Sequence, residues 1–271
     1  MYCKVIDKKG RQAYNDQHEQ GRSSEEGRVS GSEACFPLMN ALTFWSDHDT
    51  KGEEAMLREG QVRIPSGCAV SGIFAKDGRR LSGEAIIKSI SIMHDRSNGL
   101  GGGFAGYGIY PEYKEHYAFH VFYDDKAAKE ACEKFIDDHF DVVNLSKIPV
   151  RKTPKITDEP LIWRYFVNPL PTKLKDSQLD EREYTARCVM RINTRIEGAY
   201  VFSSGKNMGV FKAVGYPEDV GDFYRLEEYS GYCWTAHGRY PTNTPGWWGG
   251  AHPFAMLDYS VVHNGEVSSY D

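Results

Sequence analysis

The chain has 271 residues, of which 40% are hydrophobic, and carries a formal net charge of −5 with a pI near 6.0. This apolar content suffices for one large domain or two small ones, whereas the mild acidity argues against a nucleic-acid surface, which requires clustered Lys and Arg. No stretch approaches the roughly 18 apolar residues of a membrane span and no signal peptide is recognisable, so we expect a cytoplasmic protein without membrane contact.

Residues 1–67 form a polar segment that we predict to be a leader or propeptide, partly disordered. Residues 12–32 are rich in Gly, Ser, Glu and Arg and hold almost no apolar side chains, so they cannot bury enough surface to order themselves. The composition changes at Cys68, where an apolar run begins that extends through residue 75. We therefore expect one folded domain over residues 68–271.

Six cysteines stand at positions 3, 35, 68, 132, 188 and 233, without CxxC pairs or regular spacing. In a cytoplasmic chain such thiols are expected to be reduced and mostly buried as small apolar groups. Cys68 differs from the others because it heads a short, strand-like apolar run.

Hydrophobic periodicity predicts three helices and a larger number of strands within the domain. Ser82 can cap a helix within residues 79–93, a second helix covers 125–139, and Pro217 begins a third that ends near residue 230. Strands are predicted at residues 104–110, 116–123, 161–167, 184–192, 199–203 and 208–214, with polar connectors at 145–160 and 169–180. Because the helices arrive in separated groups rather than in strict alternation with strands, the pattern indicates α+β layers.

A glycine run at Gly101, Gly103 and Gly106 matches the GxGxxG pattern of dinucleotide-binding loops. That fingerprint follows a strand and opens a helix, whereas this run follows a helix and opens a strand-like segment. The context is inverted. We therefore predict that these glycines let the backbone pass close to a neighbouring strand or to the nucleophile, rather than cradle a nucleotide.

Three ordered motifs dominate the last part of the chain: HGRYPTNTP at 237–245, AHPF at 251–254 and HNGE at 263–266. With these motifs the sequence resembles the class II glutamine amidotransferases, which are N-terminal-nucleophile hydrolases, and is most similar to the glutaminase part of glutamate synthase. The resemblance implies a four-layer αββα sandwich. Family members continue for several strands and helices beyond the third motif, so it also implies a domain truncated at its C-terminus.

The motifs supply candidate residues for binding glutamine. Arg239 fits the α-carboxylate of an amino acid, because a guanidinium pairs with a carboxylate through two parallel hydrogen bonds. By resemblance, Thr242, Asn243 and His263 also bind the substrate. Pro245 with the Trp pair at 247–248 either forms an aromatic wall of the pocket or belongs to the core.

Asn264 and Gly265 admit two interpretations. Asn-Gly between apolar runs is the strongest short signal for a tight hairpin turn. In the resembling family, the Asn side-chain amide and the Gly backbone N–H are the two donors of an oxyanion hole, which stabilises negative charge on an amide oxygen. The two interpretations are compatible, since a tight turn at a strand end exposes a backbone N–H.

Cys68 is the candidate nucleophile, because family members begin their mature chain with a cysteine that heads a strand. The α-amine of that cysteine serves as the general base for its own thiol, and its reference pKa of about 7.7 to 8.0 suits this task. The resemblance therefore implies removal of the leader between Gly67 and Cys68. Cys3 is the rival, but loss of Met1 would expose Tyr2 instead.

The resemblance implies L-glutamine as substrate and a synthase subunit or domain as the recipient of ammonia. Any FMN or iron–sulfur cluster is expected on that partner, with no cofactor in this chain. We expect no metal either, because the 14- and 10-residue gaps between His237, His252 and His263 fit no compact ligand motif. The alternative is a non-catalytic module with an unprocessed N-terminus that binds glutamine or a partner.

Overall fold

Two antiparallel sheets of four strands each form the centre of the protein. The computed structural model describes residues 67–241 and 244–265. The first sheet has the strand order β1-β10-β3-β8 and the second sheet has the order β5-β6-β4-β7. Their strands are β1 (Ala69–Phe74), β3 (Gly102–Tyr107), β4 (Tyr117–Tyr123), β5 (Phe140–Lys147), β6 (Leu161–Pro169), β7 (Ala199–Ser203), β8 (Met208–Ala213) and β10 (Cys233–Gly238).

Five α-helices, three short 3-10 helices and two short antiparallel strand pairs complete the described fold. The helices are α1 (Gly83–Ser91), α2 (Lys126–His139), α3 (Pro171–Ser177), α4 (Glu181–Arg195) and α5 (Pro217–Phe223). The short pairs are β2 (Leu81–Ser82) with β9 (Ser230–Gly231), and β11 (Phe254–Met256) with β12 (Tyr259–Val261). The predicted α+β class is confirmed for these residues, none of whose helices is long and apolar enough to cross a membrane.

The predicted cap of α1 is confirmed, and α2 has a cap of the same type. The Ser82 hydroxyl accepts the N–H of Glu84 at 3.2 Å, and the Asp125 carboxylate accepts the N–H of Ala128 at 2.8 Å. Each bond satisfies one of the amide groups that a helix leaves unpaired in its first turn. Ile86 and Ile90 of α1 are buried, as their spacing predicted.

The strand predicted at 184–192 is wrong, because these residues lie in α4. Tyr184, Cys188 and Ile192 recur at every fourth position and are all buried, which gives a helix one apolar face. The Asp180 carboxylate accepts the N–H of Glu183 at 2.8 Å and caps this helix. The predicted connector at 169–180 contains α3, which begins at a proline that fits the first helical position.

Strand β4 explains how the two sheets pack. All seven of its residues are buried, so its sequence lacks the polar positions of a one-sided strand. Phe119 and Val121 pack in a core shared with α2 and α4, whereas Ala118 and Phe122 pack in a core shared with the first sheet, α1 and α5. The two sheets contact each other along β4, β7 and β8.

The β11–β12 hairpin is tied to the rest of the fold by polar contacts on its inner side. The N–H of Leu257 donates to the Ser204 hydroxyl at 3.0 Å, and the Tyr107 and Ser260 hydroxyls lie 2.6 Å apart. The outer face is apolar and exposed. The hairpin matters for function because its second strand leads directly to residues 263–265.

The predicted leader lies almost entirely outside the described residues, since the description begins at Gly67. The expected disorder at 12–32 therefore stays a prediction.

Candidate active site

Cys68 lies directly before β1, at the edge where β1 pairs with β10 through Ala69 and Gly238. Its thiol is partly buried and accepts a hydrogen bond from the backbone N–H of Tyr240, with 3.4 Å between nitrogen and sulfur. The Arg96 Nε–H donates to the Cys68 carbonyl oxygen at 3.4 Å. The antiparallel ladder thus brings the candidate nucleophile beside the first of the three motifs.

The main chain of Arg239 is fixed on both sides. Its N–H donates to the Gly101 carbonyl at 2.7 Å, and its own carbonyl accepts the Ser97 hydroxyl at 3.0 Å and the N–H of Asn98 at 3.2 Å. These bonds join the loop before β3 to the end of β10. The side chain therefore leaves the sheet from a rigid base.

The Arg239 guanidinium has a buried nitrogen without a partner. Nη2 donates to the Thr244 hydroxyl at 2.8 Å, whereas Nη1 is buried and makes no hydrogen bond among the described residues. Leaving a buried charged donor unpaired is costly, and such groups in native structures call for an explanation. An incoming carboxylate would supply the missing acceptor.

Asn264 lies beside the residue that precedes the candidate nucleophile. A β-carbon placed on Gly67 would lie 3.7 Å from Asn264 Oδ1 and 3.1 Å from Arg96 Nη2. Asn264 and Gly265 are both exposed. The strand that a hairpin turn at Asn264 would require next lies outside the described residues.

Two histidines with adjacent rings lie close to this segment. His237 is completely buried in β10, and its Nε2–H donates to the His263 carbonyl at 2.8 Å. The ring of His252 lies 4.4 Å away, centroid to centroid. Burial lowers the pKa of His237 to about 4 and that of His252 to about 3, so both rings are neutral near pH 7.

Neither histidine has a full set of partners. The Nδ1 atoms of His237 and His252 are buried without a hydrogen-bond partner among the described residues. Because the His263 carbonyl can only accept, the proton of His237 is on Nε2 and its Nδ1 carries a lone pair.

Lys212 of β8 is completely buried close to this pair. Its Nζ donates to the Gly249 carbonyl at 2.8 Å and lies 4.9 Å from the ring centre of Phe254 and 5.4 Å from that of Tyr200. Burial lowers the pKa of Lys212 to about 7, whereas the ring faces and the carbonyl favour the charged form. No carboxylate pairs with it among the residues that the structure describes.

The glycine run packs against the site, as predicted. A β-carbon on Gly103 would lie 2.3 Å from the His252 carbonyl oxygen, and one on Gly101 would lie 3.0 Å from Cδ of Arg239. Only glycine leaves room for these approaches. The run opens a strand rather than a helix, so it lacks the helix N-terminus of a phosphate loop.

The two tryptophans have different environments. Trp248 is buried, donates to the Thr157 carbonyl at 3.2 Å and contacts Phe122 edge-on, so it belongs to the core. Trp247 is 55% exposed.

The structure thus brings Cys68, Arg239 and Asn264 together, with Gly265 and His263 on the adjoining segment. Thr242 and Asn243 lie outside the described residues. Sequence reasoning assigned no role to Arg96, and it considered His237 only as a metal ligand. Lys212 was missed, although a charged residue inside the apolar run of β8 is a signal of an unusual environment.

Comparison with known proteins adds independent evidence. The family model described as glutamine amidotransferases class-II matches residues 108–270. An uncharacterized protein of Archaeoglobus fulgidus is 55% identical over 206 residues, which are 75% of this chain and 54% of that protein. The chain therefore spans about half the length of this curated relative. The family match includes the three motifs and begins after Cys68.

Proposed function

The chain belongs to the class II glutamine amidotransferases, and on that premise we propose that it releases ammonia from L-glutamine through a thioester on Cys68. The observation that carries the proposal is that three separate segments meet around Cys68: its own, the first motif, which contacts the thiol, and the third motif, which approaches Gly67. The N–H of Tyr240 reaches the sulfur at 3.4 Å, next to an Arg239 nitrogen that lacks an acceptor. Asn264 approaches from the third segment.

In the proposed reaction, the thiolate of Cys68 attacks the side-chain carbonyl carbon of glutamine. The amide oxygen becomes an oxyanion, the C–N bond then breaks, and the leaving nitrogen takes up a proton to depart as ammonia. Water hydrolyses the resulting thioester to glutamate and restores the thiol. Atoms balance, since one water is consumed for each glutamine split.

Two further assignments complete the proposed site. The Asn264 side-chain amide and the Gly265 N–H donate to the oxyanion, a type of contact whose loss typically costs ~10²–10³-fold in kcat. Arg239 binds the α-carboxylate through its unpartnered Nη1, with His263, Thr242 and Asn243 as additional substrate contacts. The ion pair between the Arg239 guanidinium and the α-carboxylate selects a free amino acid over an amide that lacks a carboxylate.

Catalysis by this route requires the leader to be removed between Gly67 and Cys68. The nitrogen of Cys68 is otherwise an amide and cannot accept a proton. A free α-amine, with a pKa of about 7.7 to 8.0, can take the thiol proton and later deliver it to the leaving nitrogen.

The finer fold assignment and the partner are also part of the proposal. Helices α1 and α5 pack on the first sheet, and α2 and α4 pack on the second, which supports a four-layer αββα sandwich. The resemblance of the three motifs to glutamate synthase supports a cytoplasmic synthase-type partner that receives the ammonia and carries FMN and an iron–sulfur cluster.

The test is glutamine hydrolysis by the full natural chain, measured as glutamate and ammonia. We expect Cys68→Ala to lower kcat by at least ~10³-fold while glutamine still binds. Cys233→Ala is the matched control, because Cys233 is the other partly buried cysteine among the described residues, and it should leave kcat within ~3-fold. Activity that survives in Cys68→Ala would exclude this nucleophile.

Arg239→Ala separates binding from chemistry. We expect KM for glutamine to rise ~100-fold, about 2.7 kcal/mol, because a charge-assisted carboxylate contact is lost. Intact mass after treatment with a glutamine-analogue electrophile then reports the N-terminus. A chain that begins at Cys68 and carries the label supports the enzyme, whereas an unlabelled chain that retains Gly67 and binds glutamine supports the non-catalytic module.

A further inference from the structure

Among the described residues, the segment that carries Asn264 and Gly265 makes few hydrogen bonds of its own. The ladder ends at Val261, and the hydrogen bonds that tie the hairpin to the fold end at Ser260. Both candidate donors are exposed. An oxyanion hole works only if its donors are held near their final positions before the reaction, within roughly 0.5 Å. Some other group must therefore hold this segment.

His237 provides that restraint. Its Nε2–H donates to the His263 carbonyl at 2.8 Å, and among the hydrogen bonds between described residues this is the one that reaches residues 262–265. His263 immediately precedes Asn264. The peptide plane that His237 holds is thus the one that leads into the proposed oxyanion hole.

The position of His237 is itself well determined. It lies in β10, where it pairs with Val70 on one side and Gly103 on the other. The ring of His252, tilted by 30° with its centroid 4.4 Å away, packs against the imidazole. A buried ring on a central strand is a rigid support for a loop.

We propose that His237 is a positioning residue for the oxyanion hole, which it fixes relative to Cys68 by holding the His263 carbonyl. The proposal rests on the function proposed above. His237 does not touch the substrate, and it acts through the backbone of residues 263–265. Its unpartnered Nδ1 plays no part in this role.

The experiment compares His237→Leu, which removes the N–H donor, with His237→Gln, which keeps an N–H at a similar distance from the backbone. For His237→Leu we expect kcat to fall ~10- to 100-fold and KM for glutamine to change less than ~3-fold. His237→Gln should recover kcat to within ~5-fold of the parent. A purely structural role predicts no such rescue.

A double-mutant cycle with Asn264→Ala tests the route of the effect. If His237 acts through the oxyanion hole, His237→Leu should lower kcat less than ~3-fold in the Asn264→Ala background. Additive losses would overturn the proposal. Buried His120 of the second sheet supplies the control, since His120→Leu should lower stability and leave kcat of the folded protein unchanged.

The outcomes separate this inference from the proposed function. A parent chain that is active and labelled at Cys68, but whose kcat survives His237→Leu, overturns the inference and leaves the function standing. A parent chain without glutaminase activity overturns both. If His237→Leu does not fold, the comparison of His237→Gln with the parent decides. A His237→Gln variant that keeps its thermal stability but loses kcat would contradict the expected rescue.

Discussion

Two completely buried histidines, one in each sheet, differ in how their rings are paired. His120 of β4 donates from Nδ1 to the Val210 carbonyl at 2.8 Å and accepts the Tyr110 hydroxyl on Nε2 at 2.9 Å. His237 of β10 donates from Nε2 to the His263 carbonyl, and its Nδ1 has no partner among the described residues. We call the His120 ring closed, because both of its nitrogens have partners. The His237 ring is open, because only one of its nitrogens has a partner among the described residues.

The difference indicates where the fold keeps buried polar atoms without partners despite the loss of stability. Buried polar groups without partners lower stability, and native proteins keep them where function demands. Three of the seven such atoms found among the described residues belong to His237, Arg239 and His252, all near the candidate site. We therefore expect the second sheet mainly to stabilise the fold, whereas the first sheet carries the proposed chemistry.

The largest expected effect on stability is that of His120→Ala. The substitution leaves a cavity between the sheets, and the Tyr110 hydroxyl and the Val210 carbonyl lose their hydrogen bonds to His120. We therefore expect a loss of about 3 kcal/mol in the free energy of unfolding. Denaturant unfolding measures it. Glutaminase kcat, corrected for the folded fraction, should not change.

His116→Ala is the matched control for this prediction. His116 is only partly buried and its ring makes a hydrogen bond with Asn168 at 2.9 Å, so we expect a loss below about 1 kcal/mol. Equal losses in the two variants would remove the distinction between a closed buried histidine and an ordinary one. A fall in kcat for His120→Ala would contradict the assignment of the second sheet to stability.

The features that the sequence predicted are those that depend on local chemistry. Ser82 and Asp125 cap their helices through residues two and three positions away, and such short-range bonds are legible in the order of residues. The motif at 237–245 is also a local feature, since it consists of adjacent residues and places Arg239 next to Tyr240. Helix α4 was missed although the four-residue spacing of Tyr184, Cys188 and Ile192 is a helical signal in the sequence.

The rest of the candidate site depends on long-range contacts with backbone atoms. The carbonyl that His237 binds is 26 residues away, and the one that Lys212 binds is 37 residues away. A carbonyl group belongs to every residue, so no residue type marks these partners in the sequence. The sequence therefore singled out Cys68, Arg239 and Asn264 as candidates, but not the groups that contact them.

Acid should affect both histidines alike despite their different partners. Burial lowers the pKa of His120 to about 3 and that of His237 to about 4, below the value of about 6.5 in an unfolded chain. The unfolded state thus binds more protons below pH 6.5, and stability falls as the pH decreases toward the folded pKa. Each ring should contribute a loss of about 1 kcal/mol between pH 6.5 and 5.5.

Denaturant unfolding at pH 7.5, 6.5 and 5.5 tests this expectation with His120→Gln and His237→Gln. Each variant should lose about 1 kcal/mol less than the parent over the lower interval, because one titrating group is gone. If only one variant shows the smaller loss, the other ring is charged in the folded state. For His237 that result would mean that Nδ1 has a partner, and the comparison of open and closed rings would fail.

Lys212 gives an effect of the same sign and similar size, but at higher pH. Burial lowers its pKa to about 7 in the folded state, against about 10.4 in an unfolded chain, so the unfolded state binds more protons between these values. Stability should therefore rise with pH, by about 1 kcal/mol between pH 7.5 and 8.5, and this rise should disappear in Lys212→Met. If the parent and the variant respond equally, the Gly249 carbonyl and the aromatic rings keep Lys212 charged. The first sheet would then hold a buried cation beside two neutral histidines. The candidate site would therefore be more polar than the surroundings of the paired His120 in the second sheet.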